Sequence, residues 1–305
     1  MKIDLKYHCF FTYDENNEII YVSGSVNRVL DAKTKQVLGT MGKIHHIPPK
    51  VTSDGQWIAF GHHCMVKNVI YSKGDYEKPT YLFKRGQDTI NHEEEQKWLN
   101  NHQLLTNVED QVWLIDVLNR KEECCYPSEP GKDQYVTTTD VWNGEILIGH
   151  RVFEGDTAYI QMTYLVPQKG GWQKQTMFLP NGADCLRFDR KGGMYVFLND
   201  NICRHYPTIP DFPEAKYESL PCRHKFKVSV SDDGQYFCSA GLELGNTYKD
   251  TFYSISLYQT SPWKEIYYER SSSFISCGFS NLGNWFLVSG TSSWLTPIKE
   301  IKTGV

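Results

Sequence analysis

The feature of this sequence that most restricts its fold is a short turn that recurs along the chain. The stretch Thr52-Ser53-Asp54-Gly55-Gln56-Trp57 returns as Ser231-Asp232-Asp233-Gly234-Gln235-Tyr236 and as Ser280-Asn281-Leu282-Gly283-Asn284-Trp285. Looser copies begin near residues 13, 99, 140 and 189. Each copy has one position for a left-handed residue, which glycine adopts most easily and asparagine next. We assign this position to Asn17, Gly55, His102, Gly144, Gly193, Gly234 and Gly283.

These seven positions are separated by 38, 47, 42, 49, 41 and 49 residues. A mean of about 44 residues is the length of one four-stranded blade of a β-propeller. Between the turns, short apolar runs alternate with polar residues, and helical periodicity is nearly absent. The sequence therefore predicts an all-β fold. We expect one seven-bladed β-propeller domain of four-stranded antiparallel blades over residues 1–305.

The last repeat unit is one strand short of a blade. Residues 1–7 precede the first unit and alternate between apolar and polar side chains. An open sheet edge in the ring would expose unpaired backbone groups. We therefore expect the N-terminal strand to form the outer strand of the last blade and to close the ring.

The turns with the pattern Ser/Thr-x-Asp-Gly-Gln-aromatic resemble those of the WD-repeat and TolB-like β-propeller superfamily over the whole chain. Asp31 and Asp116 fall where the aspartate of the Trp-Asp dipeptide would lie, although no tryptophan precedes either one. The resemblance implies the architecture and no subfamily, because one fold serves many functions.

Composition excludes several classes of protein. The net charge of −4 gives no basic surface of the kind that binds nucleic acid. No run of eighteen apolar residues or signal peptide is present, so we expect no membrane association. The nine cysteines lack paired CxxC spacing, which favours free thiols in a reducing, cytoplasmic environment.

The sequence carries none of the common catalytic or cofactor-binding motifs. Gly-x-Ser-x-Gly, His-Glu-x-x-His, the Walker loop and Gly-x-Gly-x-x-Gly are all absent. We therefore expect no cofactor and no catalytic residues.

Loops that enter each innermost strand and loops that leave each second strand meet on one face of a propeller. Here these loops are rich in histidine, arginine and aromatic residues, which suit recognition of a protein or peptide. We predict a non-catalytic interaction module that binds its partner through this face and the channel mouth. The predicted partner-binding residues are His45, His46, His62, His63, His150, Arg151, Arg223, His224 and Trp294.

Two His-His pairs flank the turn at Gly55. If Thr52 pairs with Gln56, His46 lies opposite His62 and His45 lies opposite His63. A zinc site could then be formed by His46, His62 and His63. Adjacent residues of a strand point to opposite sides, however, so a surface or packing role is favoured and we expect no metal.

Two other functions remain open from sequence. A propeller enzyme (a lyase, hydrolase or epimerase) could act on a small molecule or sugar in the channel, with acid and base groups from His45, His46, His63, His150, His224 and Arg223. Alternatively, the ring could be a subunit of a hetero-complex that uses the longer segments 71–79 and 206–213 as its interface. By itself the ring is expected to be monomeric.

Overall fold

The structure of the protein is a computed structural model. It describes residues 1–3, 10–24, 26–41, 48–61, 68–84, 96–108, 110–127, 129, 133–155, 157–180, 182–198, 201–224, 227–243, 251–290 and 293–301.

Over these ranges the chain forms seven four-stranded antiparallel sheets, which we call blades 1 to 7. Blade 1 comprises β2 (Phe10–Asp14), β3 (Ile19–Ser23), β4 (Asn27–Asp31) and β5 (Val37–Met41). Blade 2 comprises β6 (Lys50–Val51), β7 (Trp57–Gly61), β8 (Asn68–Ser72) and β9 (Tyr81–Phe83). Blade 3 comprises β10 (Gln96–Trp98), β11 (Gln103–Val108), β12 (Gln111–Asp116) and β13 (Lys121–Tyr126).

The later blades follow the same order. Blade 4 comprises β14 (Asp133–Trp142), β15 (Glu145–Glu154), β16 (Thr157–Gln168) and β17 (Gly171–Phe178). Blade 5 comprises β18 (Ala183–Phe188), β19 (Met194–Leu198), β20 (Ile202–Tyr206) and β21 (Glu218–Pro221). Blade 6 comprises β22 (Ser229–Val230), β23 (Tyr236–Glu243), β24 (Phe252–Thr260) and β25 (Trp263–Ser271). Blade 7 comprises β26 (Ser276–Phe279), β27 (Trp285–Ser289), β28 (Ser293–Pro297) and β1 (Lys2–Ile3), and a 3₁₀ helix (Ile298–Glu300) follows β28.

The blades form a closed ring around one axis. The first strand of every blade contacts the first strands of both neighbouring blades, including β2 of blade 1 with β26 of blade 7. These strands therefore line the central channel. The predicted seven-bladed propeller is confirmed.

Blades are held together by apolar side chains at each boundary. Among the described residues there are seven buried clusters, and each one joins two neighbouring blades. Between blades 5 and 6, for example, the Phe197 and Phe237 rings stack with their centroids 5.2 Å apart. Fully burying a side chain of this size contributes about 1.5–3 kcal/mol. Alternation along the strands places these residues on both faces of each sheet, as a stack of blades requires.

The repeated turn is held by a fixed set of hydrogen bonds. The Thr52 hydroxyl donates to Asp54 Oδ1 (2.6 Å) and accepts from the Trp57 amide (3.1 Å). Asp54 Oδ1 also accepts from the Gln56 amide (3.0 Å), and Gly55 has a φ of 70°. The motif therefore combines a hydroxyl, a carboxylate and a left-handed residue because all three stabilise the same tight turn. The hydroxyl and the carboxylate form its hydrogen bonds, and the left-handed residue allows the backbone to reverse.

The copy at Ser231 forms the same bonds. Its hydroxyl donates to Asp233 Oδ1 (2.6 Å) and accepts from the Tyr236 amide (2.9 Å), while Asp233 Oδ1 accepts from the Gln235 amide (2.9 Å). The sequence repeat thus reflects a repeated hydrogen-bonded structure.

Some predicted left-handed positions need correction. Positive φ values are confirmed at Gly55, Gly144, Gly234 and Gly283. In blade 1 the positive φ belongs to Glu18 and not to Asn17, whose side chain instead donates to Asp14 Oδ2 (2.7 Å). In blade 5 Arg190 and Gly192 have positive φ values, while Gly193 is required because an added Cβ would lie 2.2 Å from the Tyr206 carbonyl oxygen. His102 has no positive φ.

The register predicted for the hairpin of blade 2 is wrong by one residue. Val51 pairs with Ile58 and Lys50 with Ala59, and the Thr52 amide donates to the Trp57 carbonyl (3.0 Å). Thr52 therefore pairs with Trp57 and not with Gln56, because its hydroxyl closes a four-residue loop. The predicted opposition of the histidines does not follow from this register.

The ring is closed by the N-terminal strand, as predicted. Lys2 pairs with Trp294 and Ile3 with Ser293, which makes β1 the outer strand of blade 7. The Leu295 amide donates to the Met1 carbonyl (2.9 Å).

Blades differ in height on the side away from the repeated turns, which we call the loop face. Counted from the repeated turn, the second strand has 10 residues in blade 4, 5 residues in blade 5 and 8 residues in blade 6. At about 3.3 Å per residue, blades 4 and 6 rise about 16 and 10 Å above blade 5. Blade 5 is thus a low blade between two tall ones.

In the part of the chain that the structure describes, no helix is long and apolar enough to cross a membrane.

Candidate interaction surface

Arg223 and His224 lie in the connection from blade 5 to blade 6, as the sequence suggested. The Arg223 guanidinium forms two bonds with the Glu265 carboxylate, at 2.8 and 3.0 Å, and lies 4.3 Å from the Tyr268 ring centroid. Burial alone would raise the pKa of Glu265. The bonds from Arg223 and from the Ser256 hydroxyl outweigh burial and lower that pKa. The Arg223 guanidinium is therefore held in place both by the Glu265 carboxylate and by the Tyr268 ring.

His224 is buried behind Arg223, with 4% of its surface exposed. Its Nε2 lies 2.6 Å from the Ser254 hydroxyl, and that hydroxyl donates to Glu243 Oε1 (2.6 Å). Because Ser254 has one proton to donate, His224 Nε2 carries a proton and donates to Ser254. Burial lowers the pKa of His224, with a smaller opposing effect of Glu243. His224 is therefore a buried, neutral ring that packs beneath Arg223 and is hydrogen-bonded to Ser254.

Side chains at the upper end of blade 6 continue this cluster and were missed from sequence. Arg270 lies 4.2 Å from the Phe252 ring centroid, and its Nε donates to the Tyr268 hydroxyl (2.7 Å). The Tyr268 hydroxyl in turn donates to Glu243 Oε1 (3.1 Å). Phe252, Tyr268 and Arg270 share one face of the blade because they alternate along β24 and β25. We call Arg223, Phe252, Tyr268 and Arg270 the blade 6 wall.

The blade 6 wall faces blade 5. Phe237 of β23 stacks on Phe197 of blade 5, and Tyr258 of β24 packs in the same cluster. Phe252 lies an even number of residues before Tyr258 and is therefore on the same side of its strand.

Arg151 faces blade 5 from the opposite side. We predicted it in a loop, but it lies inside β15, since pairing with β16 continues as far as Glu154 and Thr157. Its Nη2 is 3.6 Å from Asp184 Oδ1, at the start of blade 5, and its guanidinium is 5.8 Å from the Tyr135 ring centroid. The Tyr135 and Phe153 rings are 5.8 Å apart. We call Tyr135, Arg151 and Phe153 the blade 4 wall.

His150 was also predicted in a loop, and it too lies inside β15. It points the other way, toward blade 3, and only 1% of its surface is exposed. Its Nε2 lies 3.2 Å from both the Tyr126 hydroxyl and Gln161 Oε1. A partner at the surface would not reach this ring.

Trp294 lies in β28 and not in the preceding loop. Its ring packs edge-on against Tyr267 and Phe286, each at 5.6 Å, within the cluster between blades 6 and 7. This placement favours a packing role.

A second cation–aromatic group lies at the channel mouth. Lys227 precedes the first strand of blade 6, Phe274 precedes that of blade 7, and Phe10 begins that of blade 1. The Lys227 ammonium is 4.2 Å from the Phe274 centroid and 5.3 Å from that of Phe10, and Tyr253 packs on Phe274 at 5.7 Å. Sequence alone did not bring these residues together because they come from three blades.

The remaining predicted residues, His45, His46, His62 and His63, lie outside the described residues. The suggested metal ligands His46, His62 and His63 are among them. Within the described ranges, no three side chains of His, Cys, Asp or Glu are grouped as a metal site.

Comparison with known proteins agrees with the architecture. No family model matches the chain, and no curated protein matches it. Its structure is similar to the crystal structure of Chaetomium thermophilum Raptor, with a TM-score of 0.63 and 11% sequence identity over 94% of this chain. The chain spans only 28% of that Raptor chain.

It is also similar to a chain in the crystal structure of the Mitotic Checkpoint Complex. There the TM-score is 0.65 and the identity 11%, over 96% of this chain and 88% of the other. At this identity the likeness shows the fold alone. The chain has a WD-repeat-like β-propeller fold, which confirms the resemblance found in its turns.

Proposed function

We propose that this propeller is a non-catalytic interaction module that binds a protein or peptide partner through its loop face and channel mouth. The observation that carries the proposal is the group of Lys227, Phe10 and Phe274, in which a cation lies over rings from two other blades. Aromatic and cationic side chains are enriched at the centre of protein interfaces. The name of one similar structure, the Mitotic Checkpoint Complex, is that of a protein assembly, which supports a role with protein partners.

The burial of two histidines argues against the enzyme alternative. His150 and His224 were the candidate acid and base groups that fall within the described residues, and both are inaccessible to a molecule in the channel. Arg223 is engaged by Glu265 and Tyr268. The two histidines are thus too buried to act on a substrate, and the exposed Arg223 guanidinium is held in an ion pair.

The test is native affinity purification from the source cells, with bound proteins quantified by mass spectrometry. Lys227→Glu reverses the charge at the channel mouth, and we expect it to lose a reproducible set of proteins that the unchanged chain retains. Lys121→Glu is the matched control, because Lys121 is exposed on the outer strand of blade 3, away from the mouth.

Capture of the same proteins by all three chains would contradict binding at the channel mouth. Recovery of the bare chain alone, together with turnover of a compound from a metabolite library, would favour the enzyme.

A further inference from the structure

We propose that the outer strand of blade 4, β17, pairs edge to edge with β17 of a second copy of this chain, so that two propellers form a twofold-symmetric dimer. The proposal does not depend on the proposed function, because β17 lies on the outer rim of the ring and away from the channel mouth. It departs from the monomer expected from sequence.

The outer strand of each blade exposes one row of backbone N–H and C=O groups, and most outer strands here are protected against pairing. Three are short: β1, β9 and β21 have two, three and four residues. Three others, β5, β13 and β25, lie beside a shift in the register of their blade. Short length and β-bulges both hinder the addition of a further strand.

β17 has neither form of protection. It spans eight residues and pairs with β16 without a shift in register. It contains no proline, and its one charged residue is Lys174. The Lys174 ammonium is turned toward blade 3, where it lies 4.7 Å from the Tyr126 ring centroid. Among the outer strands that the structure describes, β17 is therefore the long and regular one whose edge is open to another strand.

The open backbone groups of β17 belong to alternate residues. Just beyond its end, the Leu179 amide donates to the Ile160 carbonyl (3.0 Å), so odd-numbered residues of this segment direct their backbone groups toward β16. The groups that point outward belong to Trp172, Lys174, Thr176 and Phe178. Over the described ranges, none of these outward backbone groups is hydrogen-bonded.

The sequence of β17 can pair with itself along nearly its whole length. Antiparallel pairing about a twofold axis at Gln175 places Trp172 opposite Phe178 of the second copy. The same register places Lys174 opposite Thr176 of the second copy. Each lysine then faces an uncharged side chain, and all the outward backbone groups find partners.

Registers shifted by one position are less favourable. An axis at Lys174 puts the two lysines opposite each other, and like charges in that arrangement are destabilising. An axis at Thr176 puts Trp172 opposite Pro180 of the second copy, and proline has no N–H to donate. The axis at Gln175 is therefore the one that the side chains favour.

An exposed aromatic ring at the end of β17 agrees with this register. Phe178 has 64% of its surface exposed, the largest fraction among the large apolar side chains of the described residues. Its ring centroid is 5.4 Å from that of Tyr159 in the same blade. The dimer covers each Phe178 with the second copy's Trp172, and aromatic pairs across strands stabilise antiparallel sheets.

Antiparallel pairing also determines how the two rings are oriented. A twofold axis perpendicular to the sheet of blade 4 turns the two loop faces in opposite directions. Neither the loop face nor the channel mouth is covered, so each ring of the dimer can bind its own partner.

Disulfide crosslinking of the whole chain tests the register. With the axis at Gln175, the two copies of this position face each other with Cβ atoms about 4.5–5.5 Å apart. We therefore expect Gln175→Cys to give a covalent dimer with oxidised glutathione, and dithiothreitol to reverse it. Gln173→Cys is the matched control on the same face of the strand, because its two copies are about 13 Å apart along the strand. The unchanged chain reports the background from its native cysteines.

Sedimentation velocity over a range of chain concentrations measures the dimer without a crosslink. Thr176→Glu puts a carboxylate opposite each Lys174 and should lower the dissociation constant at least about threefold, whereas Thr176→Lys should raise it at least about threefold. Both changes remove the same contact with the Thr163 hydroxyl, so they differ in charge alone. Thr176 is exposed, and thermal melts check that both variants fold.

The matched controls are Gln173→Glu and Gln173→Lys, because Gln173 faces the uncharged Met177 of the second copy. These two variants should have equal dissociation constants. A species of single-chain mass at every concentration, with equal crosslinking of Gln175→Cys and Gln173→Cys, would overturn the dimer. Equal shifts for Thr176→Glu and Thr176→Lys would overturn this pairing.

The two proposals fail separately. Thr176→Lys should retain the proteins captured at the channel mouth while it weakens the dimer. Lys227→Glu should lose those proteins while the dissociation constant of the dimer stays unchanged.

Discussion

The carboxylate of Glu15, in blade 1, accepts a hydrogen bond from the hydroxyl of Ser280, in blade 7. In the other two copies of the turn this bond goes to an aspartate two residues further along, but blade 7 has Leu282 there. Glu15 also accepts from the Asn284 amide (3.0 Å), as the missing aspartate would. A neighbouring blade thus supplies the group that the repeat lacks.

Replacing Glu15 should therefore weaken the ring at its closure. We expect Glu15→Ala to lower the free energy of unfolding by about 1–3 kcal/mol, because the Ser280 hydroxyl and the Asn284 amide lose their shared acceptor. Urea unfolding followed by tryptophan fluorescence measures this. Leu282→Asp, added to the same chain, should restore most of the loss, whereas Glu77→Ala at an exposed position should have little effect. A double variant no more stable than Glu15→Ala would contradict this account.

Asp140 is a buried charge shared by three blades. Its Oδ1 lies 2.7 Å from Lys97 Nζ and 3.4 Å from Arg190 Nη2, and its Oδ2 accepts from the Phe188 amide (2.8 Å). Burial alone would raise the pKa of Asp140, but Arg190, Lys97 and Arg187 outweigh it and hold the pKa well below 3.8.

We expect Asp140→Asn to lower the free energy of unfolding by about 3–5 kcal/mol, because Lys97 and Arg190 lose the buried carboxylate that they share. Since the folded-state pKa is lowered, the contribution of Asp140 is present above pH 3.8 and is lost as the pH falls below that value. The variant should therefore lose less stability than the unchanged chain between pH 4 and 2, as measured by thermal melts. Asp75→Asn, at an exposed site, is the control and should retain the full acid dependence.

His224 should make stability depend on mildly acidic pH. Its folded-state pKa is below 6.5 because of burial, so the unfolded chain binds the proton first. Stability is therefore full above pH 6.5 and declines, by up to about 1.4 kcal/mol per pH unit, as the pH falls from 6.5 to the folded-state pKa.

The check is a pair of melting temperatures at pH 7.5 and 5.5. His224→Gln retains an amide N–H that can donate to Ser254 but does not titrate, so its melting temperature should fall less than that of the unchanged chain. An equal fall in both chains would show that His224 is not the titrating group.

Trp294 was predicted to contact a partner, and its packing leads to a different expectation. Trp294→Ala should lower the free energy of unfolding by about 3 kcal/mol, since it leaves a cavity between Tyr267 and Phe286. At a temperature where the variant is fully folded, its bound proteins in affinity purification should match those of the unchanged chain. Loss of partners without loss of stability would restore the original interpretation.

The architecture was readable from sequence because one turn is built from the same side-chain bonds in several blades. The exact conformation of a turn could not be predicted where a neighbouring residue adopts the backbone conformation expected of another. Glu18 adopts the left-handed conformation predicted for Asn17, because Asn17 is held by Asp14. A one-residue error in the register at Thr52 arose because the hydroxyl bond enlarges the loop.

The candidate surface was only partly predictable. Arg151 and Arg223 were identified by their place near the loop face, and the structure shows that they face the same low blade. Tyr268 and Arg270 were missed because only the pairing of β24 with β25 brings them to Phe252 and Glu243. Whether a histidine in a strand is exposed depends on the face of the sheet to which its side chain points. The His150 side chain points toward blade 3, where it is buried against Tyr126.

The pairing of β1 with β28 also constrains the order in which the chain can fold during synthesis. Met1 and Leu295 are hydrogen-bonded to each other although they are 294 positions apart in the sequence. Blades 1 to 6 can form as their residues leave the ribosome, but blade 7 must wait for the last part of the chain. Until blade 7 forms, the apolar face of blade 1 that packs against Leu287 and Leu295 is exposed to solvent. A nascent chain stalled before β26 would therefore expose this face, and chaperones would find their binding site on the first blade made.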